Sequence, residues 1–291
     1  MAIQIYTQQF AGLLPKVFES EQHFLRTFGN TLQVRDGVGE KDTFMELKVT
    51  PTDVVLQNYS TDENVAFGTG TGSTSRFGER KEIVAENVKV PYLNPIVIHE
   101  GVDNVTVNAN AEAVIAERTD LHAEAWTEKL NAIMAEALST NAGETKTVEL
   151  TEEALSDLFA EAHAHFVNNK VSQSIGHVAY VNPEVYNYLI DNNLANAGKG
   201  STVNIDNQEL YRYKGFIVRE IASEYFEGDE IAYFAPDNVG VIGLGLNVYR
   251  LLDSEDFAGV TIQGLAKPAI YVPEKNKIAI VKATKADGAG V

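Results

Sequence analysis

The chain of 291 residues contains no cysteine. That excludes a disulfide framework, a thiolate nucleophile and any cysteine-based zinc site, and it fits assembly in a reducing compartment. Positive charge is also scarce. There are 23 Lys and Arg against 41 Asp and Glu, a formal net charge of −18. Gripping nucleic acid phosphates requires basic patches that release counterions, and the balance here has the wrong sign. No apolar run approaches the ~20 residues of a membrane-spanning helix. The start of the chain lacks a basic segment ahead of its apolar residues, so no secretory signal is expected.

Catalytic and cofactor motifs are equally sparse. His-Glu-x-x-His and Gly-x-Ser-x-Gly do not occur. His163 and His165 stand two apart, on different faces of any helix, and so chelate poorly. Ala197-Gly198-Lys199-Gly200-Ser201-Thr202 lacks the leading Gly of a phosphate loop and has Gly where Ser or Thr must follow the Lys. Gly240-Val241-Ile242-Gly243-Leu244-Gly245 is followed by no helix pattern, which removes the dinucleotide-binding reading. No catalytic residue, cofactor site or metal site is therefore expected. No internal repeat of fixed period is present.

What is present is organised around Asn108–Thr140, free of Pro and Gly and rich in Ala, Glu and Leu. Its spacing predicts one helix of roughly 48 Å. Ile115, Leu121, Ala125, Leu130, Ile133 and Ala137 are expected on the packed face, widened by Trp126 and Met134. Asn108 can cap its start and Asn141-Ala142-Gly143 its end. A second helix is expected after a Thr151 cap, with Leu155, Leu158, Phe159, Ala162 and Phe166 as its apolar stripe.

Ahead of the long helix, Met1–Lys48 holds short apolar clusters broken by Gly29, Gly37 and Gly39, with a short helix near Lys16–Phe28. It reads as an arm whose aromatics need a partner surface. Val49–Val97 reads as a long hairpin, with strands at Val54–Leu56 and Ile83–Val90 flanking a glycine-rich tip. Behind the second helix, His177–Val181 is a strand. Asn182-Pro183 opens a helix carrying Tyr186, Leu189 and Ile190. Ala195–Asn207 reads as a loop, and Leu210–Arg219 as a strand, turn and strand. Ile231–Ala235, Val248–Leu252, Val260–Gln263 and Ala269–Val272 are further strands. Pro273–Asn276 is expected to turn the last of these into a hairpin with Ile278–Val281.

This order resembles the major capsid proteins of tailed bacteriophages with the Hong Kong 97-like fold, over essentially the whole chain. Local phrases carry it: His177-Val178-Ala179-Tyr180-Val181-Asn182-Pro183-Glu184-Val185-Tyr186 resembles a strand-to-helix passage of that family's apical domain. Tyr213-Lys214-Gly215-Phe216-Ile217-Val218 resembles its Gly-centred hairpin, and Ile231-Ala232-Tyr233-Phe234-Ala235-Pro236-Asp237 a following strand. The flavour is similar to head proteins of siphophages of Gram-positive hosts.

The resemblance implies an α+β fold with an N-terminal arm (1–48), an extended loop (49–97) and a peripheral domain (98–173) built on the spine helix 108–140. An apical domain (174–246) and a return to the peripheral domain (247–291) follow. It implies a structural protein, not an enzyme. Such a protein self-assembles into hexamers and pentamers of an icosahedral head around double-stranded DNA, which is contacted weakly and non-specifically. A separate scaffolding protein and a portal are the implied partners, with no membrane. The implied location is the virion capsid, assembled in the host bacterial cytoplasm. Two alternatives stay open: an encapsulin-type nanocompartment shell, and an acidic cytosolic hydrolase.

Charge points to how copies meet. Phe67–Lys81 carries Arg76, Arg80 and Lys81 against Glu79, while the spine carries Glu112, Glu117, Asp120, Glu124, Glu128 and Glu136 against Arg118 and Lys129. The expected contact joins Phe67, Arg76, Phe77, Arg80 and Lys81 of one copy to Glu117, Asp120, Glu124 and Glu128 of the next.

Overall fold

A computed structural model describes residues 4–5, 22–39, 41–50, 54–67, 75–106, 111–191 and 212–286. The chain forms two compact units. One comprises Met1–Asp42 with Tyr92–Val291, here the body; the other is Thr43–Pro91.

Two five-stranded sheets build the body. In the first, β10 (Val241–Asp253) and β11 (Gly259–Tyr271) run antiparallel, with a bulge between Leu246 and Val248. The edge strand β5 (Ile96–Asp103) pairs with β11. On its other side β10 takes β1 (Gln4–Ile5) antiparallel and β2 (Gln33–Asp36) parallel. The Gly-punctuated residues 241–246 are thus the first half of one long strand. The chain has a continuous two-stranded ribbon where shorter pieces are expected.

The second sheet has the order β6 (Glu144–Val148), β12 (Val281–Lys285), β9 (Glu230–Pro236), β7 (His177–Val181), β8 (Phe216–Glu220). Every residue of β7 and β9 is buried, as in a central strand covered on both faces. The expected hairpin after Pro273 does not form. A helical turn, Glu274–Lys277, instead carries the chain from the first sheet to β12 in the second. Likewise β8 pairs in parallel with β7, and only a single bridge joins Tyr213 to Phe216 across Lys214-Gly215.

The long helix, α1, is described over Ala111–Thr140, 30 residues, or about 45 Å. Its buried seam is Trp126, Leu130, Ile133, Met134, Ala137 and Leu138. Leu121 is 39% exposed and Ala125 is exposed, so two residues expected inside lie outside. The seam rotates toward positions filled by polar residues with dedicated partners. Buried His122 meets Tyr249 and Glu100, Thr127 donates to the Ala123 carbonyl at 2.9 Å, and Asn131 Oδ1 accepts from the His23 N–H at 3.3 Å. Satisfied in this way, polar groups pack without the usual penalty.

α2 (Glu152–Asn168) starts as its sequence dictates: Thr151 Oγ1 accepts from the Ala154 N–H at 3.3 Å, and Glu152 and Glu153 occupy the first turn. All five residues of its expected stripe are buried. They pack on Ala179, Val181 and Phe234 of the second sheet. The opposite face of that sheet gives Val178, Tyr180, Tyr233 and Ala235 to the core that α1 shares with the first sheet. α3 (Pro183–Asp191) is capped by Asn182, whose Oδ1 accepts from the Val185 N–H at 2.9 Å.

The largest departure concerns the segment read as an arm. Residues 22–39 belong to the body's own core. Phe24 and Phe28 are fully buried, and Leu25 nearly so. Residues 24–30 form turns, not a helix. Arg26 grips Asp237 through Nε and Nη2 at 2.6 and 2.8 Å. Thr27 Oγ1 lies 2.7 Å from the Tyr180 hydroxyl, and the Thr27 carbonyl accepts from the Val239 N–H at 2.8 Å. Gly240 makes room for this: a Cβ there would lie 2.8 Å from Phe28. The aromatics of 24–28 need no partner copy.

Several expectations lie outside the described residues: the Asn108 cap, the apolar cluster at 10–18, the tip glycines of 68–74, the loop 195–207 with its Gly-Lys-Gly-Ser, and the end of the chain from 287.

Candidate subunit interface

Within Thr43–Pro91 the paired strands are β3 (Thr43–Val49) and β4 (Glu86–Pro91), with Val49 opposite Glu86. They lie outside the expected Val54–Leu56 and include only the end of Ile83–Val90. Lys89 pairs with Glu46 at 2.9 Å. Among the described hydrophobic residues of this unit only Phe44 and Val90 are buried. Val54 is 90% exposed, Leu56 93%, Ile83 74%, Phe67 69% and Phe77 78%.

The limbs beyond the strands are held by side chains. Arg76 donates from Nε to the Val65 carbonyl at 3.0 Å, from Nη2 to Asp62 at 3.2 Å and from Nη1 to Ser60 at 3.5 Å. Its guanidinium sits 5.3 Å from the Phe67 ring centroid, within cation–π range. The Gln57 amide imitates a strand partner: Nε2 donates to the Glu79 carbonyl at 2.8 Å and Oε1 accepts its N–H at 3.0 Å. Gly78, at φ +79°, leaves the space for that amide, because a Cβ would lie 1.9 Å from Gln57 Oε1. Tyr59 and Phe77 meet edge to face at 5.2 Å.

The expected basic contacts therefore divide. Arg80 and Lys81 are exposed, whereas Arg76 is half-buried and committed to backbone carbonyls of its own loop. Phe67 and Phe77 remain exposed.

On α1 of the body, Glu117, Asp120, Glu124 and Glu128 are all exposed, and at about 3.6 residues per turn they share one stripe. Leu121 and Ala125 flank that stripe. Arg118 does not neutralise it, because it turns back to Glu100 with a two-pronged grip, Nε to Oε2 at 2.8 Å and Nη2 to Oε1.

Glu100 also accepts from His122 Nε2 at 2.9 Å, while His122 Nδ1 lies 3.1 Å from the Tyr249 hydroxyl. The Arg118 hydrogen bonds, reinforced by His122, outweigh partial burial and hold the Glu100 carboxyl down at about 2. No sequence motif pairs His122 with Glu100. The available signal was Arg118 and His122 four apart on one helix, which places both on one face.

A second missed network centres on buried Glu230, which accepts from Ser139 Oγ at 2.7 Å, Lys282 Nζ at 2.8 Å and the Tyr233 hydroxyl. Burial alone would raise its carboxyl; the three donors reverse that and hold it below the usual range. Both networks tie α1 to sheet strands. Among the described residues no cluster of three or more acidic or His side chains could hold a metal, and no helix is long and apolar enough to cross a membrane.

No family model matches the sequence, and no curated protein matches it. Solved structures do match in fold. The chain is similar to one in the capsid of cyanophage P-SCSP1u, at TM-score 0.61 and 12% identity over 88% of this chain and 87% of that one. It is similar to one in the mature capsid of bacteriophage PhiM1, at TM-score 0.59 and 9% identity over 88% and 85%. It is also similar to the virus-like particle from Pyrococcus furiosus, at TM-score 0.51 and 14% identity over 96% and 99%. The mixed α+β fold of this chain is one that such particle shells use.

Proposed function

We propose that the chain is the major capsid protein of a tailed bacteriophage, built on the Hong Kong 97-like plan and assembling into the hexamers and pentamers of a head around double-stranded DNA. The observation that carries this reading is a fold shared with phage capsid chains over nearly nine-tenths of the chain. The exposed apolar side chains of Thr43–Pro91 support it, because such surface is ordinarily covered by a partner. In this reading Thr43–Pro91 is the extended loop, and α1 with α2 and the first sheet form the peripheral domain. The second sheet with α3 lies toward the apical domain, and the segment before Thr43 is an arm anchored at 22–39. A net charge of −18 makes the protein a container that touches DNA weakly and non-specifically. Scaffolding and portal proteins are its further partners, and the head of a siphophage of a Gram-positive host, assembled in that host's cytoplasm, is its setting.

The interface we assign places Arg80 and Lys81 of one copy, with Phe67 and Phe77, against Glu117, Asp120, Glu124 and Glu128 of the next. The test is expression with and without the neighbouring scaffold gene, followed by light scattering and negative-stain microscopy. Closed shells are expected, and monomers or dimers under every condition would overturn the proposal. A second reading on the same kind of fold is an encapsulin-type nanocompartment shell. Shells that close without a scaffold and enclose a single cargo enzyme would establish that one instead.

A further inference from the structure

We infer that Arg76 is a positioning residue, which folds the limbs 57–67 and 75–79 into a knob before assembly, and that the knob's partner is a second copy of this chain. Gln57 ties the limbs at Glu79 and Tyr59 packs on Phe77, but the turn at 60–67 is gathered by Arg76. The limbs contain no strand, and Tyr59, Phe67 and Phe77 are exposed. Asn64 and Ala66 both stand at positive φ, 64° and 62°, conformations that side chains disfavour and that surrounding contacts must impose. Arg76 supplies those contacts. Its fork reaches three carbonyls around the same turn, its own carbonyl accepts from the Ser60 N–H at 2.9 Å, and Phe67 lies under the guanidinium. A planar guanidinium can gather divergent carbonyls in this way and a lysine cannot.

What the fork presents is specific. Tyr59 and Phe77 form one aromatic edge, Phe67 another, and Arg80 and Lys81 follow directly. The complementary surface is the stripe on α1, where four carboxylates run beside exposed Leu121 and Ala125. That pairing rests on the shell reading; the preformed knob does not. Pre-organisation matters because a loop that must order on docking offsets part of its binding energy.

The experiment follows amide exchange at Ser60 and Glu79 in the free subunit, alongside particle yield. It compares wild type, Arg76→Lys and Arg80→Glu. Slowed exchange at both amides is expected in wild type. In Arg76→Lys it should rise about tenfold, as for loss of charge-assisted hydrogen bonds, with body melting unchanged and shells depleted. Arg80→Glu should leave exchange unchanged. Exchange in wild type at unstructured-peptide rates, or no change in Arg76→Lys, overturns the inference. Should Arg76→Lys also lower body melting, Arg76→Gln replaces it, and unaltered exchange at Ser60 there is equally fatal. If exchange behaves as expected but wild type never forms shells, the shell reading fails and the role of Arg76 in folding the knob stands.

Discussion

The body and the Thr43–Pro91 unit solve the same problem by opposite means. The body covers both faces of its second sheet and buries whole aromatic side chains, so that its polar groups, such as Glu230 and His122, sit inside a packed frame. The other unit has one two-stranded sheet and shows most of its hydrophobic side chains to solvent. Its order comes from side chains that bind backbone: Arg76 on three carbonyls and Gln57 on Glu79. A packed core distributes its stability over many residues. A loop held by a few polar contacts concentrates it in single positions, and such regions lie at the low-stability end of a protein. That suits a segment whose covering surface arrives with another copy.

The sharpest way to break this contrast is to charge the body's core. Leu130 is fully buried at the centre of the α1 seam. Leu130→Asp should cost more than about 4 kcal/mol, since it leaves a carboxylate buried without a partner. Soluble yield and melting measure this, and Glu128→Lys on the exposed face should alter neither. Phe24→Ala comes next, at about 3–5 kcal/mol for removing a fully buried ring. The same region should show slow amide exchange at Val239, whose N–H is bonded to Thr27, in the isolated subunit. Fast exchange there would return 22–39 to the status of a free arm.

A smaller effect sits at Glu100. Its carboxyl is held at about 2, below the ordinary carboxylate value of about 4.5. A depressed carboxylate pKa stabilises the fold above the unfolded value, and that contribution is lost as pH falls from about 4.5 toward 2. Glu100→Gln should therefore lower stability by about 1–2 kcal/mol at pH 6, discounted for partial exposure. The gap from wild type should close on acidification. Urea midpoints at pH 6 and pH 3 test this, and a gap that stayed constant would mean that the Arg118 and His122 contacts do not favour the charged form.

The parts legible in the sequence were those where local chemistry and tertiary packing agree. Thr151 and its stripe, the short β-prone run His177–Val181 and the Asn182-Pro183 cap each announce one structure. What misled were places where the decisive partner is remote. Phe24 and Phe28 look orphaned until residues 237–240 reach them. Leu121 and Ala125 look like core because His122, Thr127 and Asn131 disguise the true seam. The β10 strand is hidden by its glycines, and β11 by Pro268, although each forms an unbroken pairing apart from one bulge. In the candidate interface the acidic surplus of the helix was legible from its charge balance. The role of Arg76 was not, since carbonyls that accept its hydrogen bonds have no sequence signature.

The smallest effect per contact lies in the exposed basic pair. Reversing Arg76 together with Arg80 would confound two roles, because Arg76 is structural. Arg80→Glu with Lys81→Glu separates them, for both side chains are exposed and neither supports the Gln57 or Arg76 contacts. Each exposed ion pair is worth at most about 1 kcal/mol, so melting of the free subunit should shift by less than about 2 °C. A shell repeats the contact at every copy, and the reversal replaces attraction to Glu117, Asp120, Glu124 and Glu128 with repulsion. Particle yield should therefore fall severalfold at low salt and recover in part near 0.5 M salt, where screening shortens the range of the repulsion to a few ångströms. An unchanged yield at low salt would move the interface away from this basic pair. A loss that salt failed to relieve would place the effect in packing instead of charge, and would point to Phe67 and Phe77 as the groups that docking depends on.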